Sequence, residues 1–332
     1  MRMRMWVAAA VVLVLAGCGS PQPVTDPPRA DVPEPATAPP LTHKPAGVIV
    51  KMPGSPEGLA VDAGDRLIAV GLRSPDGIAL VNTITGRVEK IVRLTGAPRH
   101  LQLAGSTVLV PAEQIDRLIQ VSLPSGAVVA DTKVGHQPHD ATAIGGTVFV
   151  GNEYSNTVSL IRGGKQVAVE PGPLQPGGVA AALDGSSVVV VGVRGRRIEA
   201  YAPDGRPLGS ASCGVGPTHV RAGPHGYFYV ADTEGNQVII YTVGAHGPRQ
   251  VGAIPTLSGT PYGISVDPVR GYVYVTLTAS NMLESFRIKG SALIPGKSWH
   301  TVRQPNDVSV DDATGRVYVA GRDADQLEMI TP

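Results

Sequence analysis

Seven prolines set the chain's rhythm. Pro56, Pro98, Pro138, Pro176, Pro217, Pro261 and Pro305 follow one another at intervals of 42, 40, 38, 41, 44 and 44 residues. After each come one variable residue, then Gly, His or Asp, then an alternating apolar run, as in Gly58-Leu59-Ala60-Val61-Asp62 and Gly263-Ile264-Ser265-Val266-Asp267. A turn leads to a β-branched or aromatic run such as Thr147-Val148-Phe149-Val150 or Tyr272-Val273-Tyr274-Val275. A polar turn, a third alternating run and a weaker fourth complete the unit, for example Thr157-Val158-Ser159-Leu160-Ile161 and Gly86-Arg87-Val88-Glu89-Lys90-Ile91-Val92. Period-two alternation broken by turn residues is the mark of strands and hairpins.

Four strands in about 41 residues is the period of a β-propeller blade, whereas helical solenoids of similar period need an apolar helical stripe that is missing here. The expected fold is therefore all-β, a seven-bladed β-propeller of four-stranded blades. The last unit starts at Pro305 and has room for only three strands before Pro332. Gly47-Val48-Ile49-Val50-Lys51-Met52 lies before the first unit as an orphan strand. This strand is expected to close the last blade, because an open blade at the seam would leave an unpaired edge.

With 41 Gly and 30 Pro the chain is too rich in breakers for a helical bundle, and with 42% apolar residues too hydrophobic for a disordered protein. Its 28 basic and 27 acidic residues make no field able to gather nucleic acid, and none is expected as a partner. Arg2 and Arg4 precede an apolar run from Trp6 to Ala16, too short for a mature transmembrane helix. The run ends in Leu15-Ala16-Gly17-Cys18, which resembles the bacterial lipobox. That resemblance implies removal of residues 1–17, lipidation of Cys18 and a lipid-anchored place on the extracytoplasmic face of the bacterial envelope. Residues 18–46 carry Pro every few positions and almost no large apolar residue, as expected of a stiff tether. Residues 47–332 form the propeller domain. Cys213 then has no disulfide partner except Cys18, and its apolar neighbourhood fits a buried, inert thiol.

The run Val148-Phe149-Val150-Gly151-Asn152-Glu153-Tyr154-Ser155-Asn156-Thr157-Val158-Ser159 resembles the YVTN-type, YncE-like propeller repeat. So do Phe228-Tyr229-Val230-Ala231-Asp232 and Val273-Tyr274-Val275-Thr276, while Pro111-Ala112-Glu113 and Gly192-Val193-Arg194 depart from it. The resemblance implies a fold and not an activity. Streptogramin-inactivating lyases are likewise seven-bladed propellers, with His and Glu beside a divalent cation, but no local motif of this chain matches theirs.

Chemistry is expected where the first strands enter the central channel. The residues there are Glu57, Arg99, His100, His139, Asp140, His219, Tyr262, Asn306 and Asp307, with Glu153 and Tyr154 from a neighbouring turn. The leading expectation is a monomeric, non-enzymatic binding or assembly module that takes a protein or small-molecule ligand at this mouth and needs no cofactor. The principal alternative is a metal-dependent lyase or hydrolase, with a divalent metal on His100, His139 and His219 and with Glu153 or Asp140 as base. A purely structural envelope protein is the third.

Overall fold

A computed structural model describes residues 32–332. The expected signal segment and Cys18 lie outside the described residues. Seven four-stranded antiparallel sheets form the seven blades of a β-propeller. Blades 1 to 6 each take four consecutive strands and span residues 55–93, 102–133, 138–171, 176–212, 217–255 and 261–300.

The seventh blade is assembled from both ends of the domain. Strand β1 (Val48–Lys51) pairs antiparallel with the last strand, β28 (Gln326–Ile330), placing Val48 opposite Met329 and Lys51 opposite Gln326. The orphan strand seen in the sequence is thus the outermost strand of the last blade. Glu328 reinforces the seam, its carboxylate accepting from the Gly47 and Val302 amides at 2.7 and 2.9 Å.

Seven hydrophobic clusters hold the ring together, each drawn from two adjacent blades. One joins blade 1 to blade 7 through Leu59, Ile68, Val70, Leu72, Tyr318, Ala320, Leu327 and Met329. Another joins blades 4 and 5 through Val189, Val191, Ile198, Val220, Phe228 and Tyr241. The middle strands are thus covered on both faces. This accounts for unbroken apolar runs such as Val188–Gly192, every residue of which is buried. Outer strands such as Ala127–Lys133 face solvent on most positions and read as weak strands in the sequence. Cys213 is fully buried, and burial pushes its thiol up to about 12.

The inner strands share an irregularity that matters for function. In six blades the pairing of first and second strands slips just after the repeat proline, between Pro56 and Leu59, Pro138 and Asp140, Pro176 and Val179, Pro217 and Val220, Pro261 and Ile264, and Pro305 and Asp307. In the remaining blade Pro98 makes only an isolated bridge to Ala112, and the regular strand begins at Gln102. A bulge puts two residues opposite one and redirects their side chains.

Residues 32–46, expected as part of the tether, lie against the propeller. Ala46 donates to the His300 carbonyl at 2.9 Å, and the rings of His43 and His300 stack with centroids 4.0 Å apart. Pro33 and Ala38 are buried. The remainder of the expected tether, residues 18–31, lies outside the described residues.

Burial raises the pKa of Glu328 above the ordinary carboxylate value, against the pull of its amide donors. A group whose folded pKa is raised binds its proton more tightly in the native state. Stability from that proton is complete below the unfolded pKa and is lost as pH rises through the folded one. The melting temperature of the wild type should therefore gain on that of Glu328→Gln as pH is lowered from 7 to 4. Calorimetry at matched ionic strength checks the direction, and a gap moving the other way would refute this account of the seam.

Candidate functional site

The residue after each repeat proline and the one following it converge on one mouth of the channel. The first set is Glu57, Arg99, His139, Gly177, Thr218, Tyr262 and Asn306. The second is Gly58, His100, Asp140, Gly178, His219, Gly263 and Asp307. The glycines of the second set have a steric reason. A Cβ on Gly58 would sit 2.8 Å from the His100 Cα, and one on Gly178 would sit 2.8 Å from the His219 Cα. Glycine on one blade therefore lets the next blade bring its histidine inward.

The three histidines meet although they come from the second, third and fifth blades. His100, His139 and His219 are 1%, 5% and 3% exposed, and one ring nitrogen from each lies within 4.8 Å of the others. Ring centroids are 4.9 Å apart for His100 and His139, 4.1 Å for His100 and His219, and 5.8 Å for His139 and His219. His219 Nδ1 is 3.1 Å from the Tyr262 carbonyl oxygen. A carbonyl only accepts, so Nδ1 carries the proton and Nε2 keeps the lone pair. His139 Nδ1 contacts the Glu153 carboxylate, and His100 Nδ1 faces Asp307 Oδ2 at 3.7 Å. His139 and His219 thus turn Nδ1 toward an oxygen and leave Nε2 over, while His100 Nδ1 stands beyond hydrogen-bond reach of Asp307. That arrangement orients metal-binding imidazoles in proteins.

Burial and neighbouring charge keep His100 and His219 uncharged. Burial, the neighbouring imidazoles and the guanidinium groups of Arg99 and Arg221 hold His100 well below the ordinary histidine value. His219 is lowered in the same way by burial, His139 and Arg221. Both ring nitrogens of His100 lack a hydrogen-bond partner within the protein. Buried polar atoms without partners are costly and ask for a ligand.

Charged groups surround the imidazoles. Fully buried Glu57 is ion-paired by Arg73, Arg99 and Arg322 at 3.4, 3.4 and 3.3 Å, and Asn306 donates to it at 3.3 Å. Arg73 also pairs with Glu113, which accepts from Gln137 at 2.8 Å. Burial works against the charge on Arg99, but Glu57, Glu113 and Glu153 outweigh it and its pKa is raised. Asp140, at the repeat position of His100 and His219, accepts from the Val179 amide, Gln102 and Arg221 at 3.1, 2.9 and 3.2 Å. Asp307 accepts from the Leu59 and Val308 amides at 2.9 Å each, and burial pushes its pKa up to about 7. These two aspartates staple neighbouring inner strands to one another.

Of the residues singled out in the sequence, Tyr154 alone stands apart. It is 57% exposed and packs edge-on against His136, 5.5 Å away. Its neighbour Glu153 turns inward, because adjacent residues of the turn point opposite ways. Gln102 and Arg221 escaped the sequence reading. Both stand four residues after a repeat proline, two beyond the inward-pointing His100 and His219, so strand alternation carries them onto the channel face. The other blades hold Ala60, Thr142, Ala180, Ser265 and Ser309 at that position, which leaves room for the two long side chains.

The free space beside the imidazoles is about 20 Å³, bounded by Val32, Pro33, Glu34, Arg99, His139, Glu153, His219 and Tyr262 among others. That holds roughly one water molecule. A larger cavity of about 240 Å³ lies at the opposite ends of the strands, between Tyr272, Tyr274, Trp299 and Arg270, far from the histidines in the fold.

No protein-family model matches the sequence, and no curated protein matches it. Solved propellers do match the structure. A Kuenenia stuttgartiensis hydrazine synthase chain aligns at a TM-score of 0.71 and 16% identity, covering 85% of this chain and 96% of that one. Virginiamycin B lyase from Staphylococcus aureus aligns at 0.72 and 12% identity over 86% and 99% of the two chains. A chain of the mitotic checkpoint complex aligns at 0.73 and 14% identity over 90% and 96%. Such low identity across such different proteins shows the propeller fold and nothing finer.

Gly178→Ala should push the fifth blade's inner strand outward at His219, because the new methyl meets the Val220 amide at 2.7 Å. Overpacking of this kind costs about 1–3 kcal/mol. Chemical denaturation gives the loss. An equal loss from Gly185→Ala, a surface turn with φ +73° and open space around its Cβ, would mean that backbone strain and not blade contact is responsible.

Proposed function

We propose that this chain is a lipid-anchored envelope protein whose propeller mouth is a binding site, and that the ligand is a late transition-metal ion held by His100, His139 and His219. The lipobox-like Leu15-Ala16-Gly17-Cys18 supports the anchor and the extracytoplasmic address. The convergence of three buried imidazoles with one nitrogen each to spare carries the metal reading.

The donor set selects the ion. Calcium and magnesium take six or more oxygen ligands, whereas imidazole suits zinc, copper, nickel and iron. Zinc–nitrogen bonds of about 2.0–2.1 Å place tetrahedral donors about 3.4 Å apart, so the rings must draw inward by an ångström or so on binding. The neutral imidazoles of His100 and His219 give up no protons when they bind. One position remains, facing the water-sized space beside Glu153, so the ion would keep a single small fourth ligand.

That same space favours binding over catalysis on an organic substrate, since nothing larger than water fits while Val32 and Pro33 cover it. Glu153 is placed to accept a proton from a metal-bound water, which keeps the lyase or hydrolase reading as the second choice.

Elemental analysis of the purified full-length protein should find about one zinc or copper ion per chain at most, and the variants His100→Ala, His139→Ala and His219→Ala should each lose it. Adding the ion to metal-stripped protein at about a thousandfold excess over its Kd should stabilise the fold by about 4 kcal/mol, read as a rise in Tm. Stoichiometric calcium or magnesium, or zinc and copper that leave Tm unchanged, would overturn the proposal.

A further inference from the structure

The segment that covers the imidazoles is held by a groove in the rim of blades 6 and 7. Thr278 Oγ1 accepts from the Ala36 amide at 3.1 Å. The Gln304 side chain reads two peptide groups at once, accepting from the Ala38 amide at 2.7 Å and donating to the Ala36 carbonyl at 2.8 Å. Arg303 donates to the Ala38 carbonyl at 3.2 Å, and Asn281 donates to the Pro39 carbonyl at 3.0 Å. Every one of these contacts is to the backbone of the segment.

The pattern suits a proline-rich chain. The groove takes N–H groups only at Ala36 and Ala38, and the prolines of the segment stand at 33, 35, 39 and 40, where no donor is used. Proline lacks the N–H and favours an extended conformation whose carbonyls project outward for recognition. Ala38 is 2% exposed, so the floor of the groove admits a methyl and little more.

The groove is also built in advance. Gln304 and Asn281 both adopt left-handed backbone conformations, with φ of 56° and 52°, and the Gln304 amide donates to Asn281 Oδ1 at 3.0 Å. Asp116 and Gln137, Asn156 and Gln175, and Asn236 and Thr260 repeat the same conformations and the same amide-to-side-chain bond in other blades, so the brace is built by the repeat and not by the occupant. The Gln304 side chain is braced from below by Asn306, 3.2 Å away.

We propose that this rim is a docking groove for an extended, proline-rich peptide, that residues 32–39 are its resident occupant, and that a second peptide of the same kind displaces them and uncovers the histidines. The occupant is exchangeable because four propeller side chains and two small buried residues, Pro33 and Ala38, hold it, without a strand ladder or an apolar core of its own. The inference goes beyond metal binding, and its test needs no metal. Loss of the metal reading would leave it standing, and the reverse also holds.

Ala38→Glu unseats the segment without altering the propeller. Diethyl pyrocarbonate acylates neutral imidazoles, and mass spectrometry follows each ring separately. In the full-length metal-free protein, His100, His139 and His219 should react at least about tenfold faster in Ala38→Glu than in wild type, the factor that about 1.4 kcal/mol of lost seating corresponds to. The exposed His225 and His246 should be unchanged and serve as references. A synthetic peptide of residues 32–40 should bind Ala38→Glu saturably and restore protection of the three rings. It should bind at least tenfold more weakly when Gln304→Ala is added, with an unchanged circular dichroism spectrum showing that the fold is intact. Wild-type reactivity of the rings in Ala38→Glu, or no saturable binding of the peptide, would overturn the proposal.

Discussion

The pairing of β1 with β28 is the contact on which the molecule depends. A propeller is stable because each blade buries both faces against neighbours, and a ring with one gap would strip two blades of a partner at once. Four residues of strand, Val48 to Lys51, supply the missing edge. The seam is then packed like the other six, with Tyr318, Leu327 and Met329 of blade 7 against Ile68, Val70 and Leu72 of blade 1. Closure also fixes the angle of every blade about the axis, and with it the direction of each inner strand.

The mouth is a consequence of that angular order. Residues 100, 139 and 219 are distant in sequence, yet the break in regular pairing after each repeat proline, a bulge in six blades and a lone bridge in the blade of His100, turns side chains inward. Seven blades thus present a ring of paired positions, and chemistry depends on what occupies them. Glycine at 58 and 178 lets the following blade approach closely, and histidine at 100 and 219 uses the space so gained. Burial and the guanidinium groups of Arg99 and Arg221 favour the neutral form of His100 and His219.

Much of this was legible in the sequence. The proline spacing yielded blade number, strand order and the closing strand, because each depends on a local pattern repeated many times. The nine residues expected at the inner-strand mouth occupy equivalent positions of the repeat, and the fold brings many of them into contact. Tyr154 and Glu153 were indistinguishable, as adjacent turn residues can point either way. Gln102 and Arg221 were overlooked, although alternation from His100 and His219 would have reached them.

The first stretch of the domain taught a different lesson. Residues 32–40 carry the composition of a spacer, and nothing in their own sequence says that they will be seated. Their partners, Thr278, Asn281, Arg303 and Gln304, lie some 240 to 270 positions later and meet them only after the ring has closed. By itself the sequence determined the fold and the ring of positions that face the axis, because strand period and repeat length are local properties that need no partner to be read. Tertiary structure alone decided that the three imidazoles meet, that Nδ1 of His139 and His219 finds an oxygen, and that a proline-rich strap covers them. Those are distances across the ring, and a distance between remote residues exists only once every blade between them has taken its place.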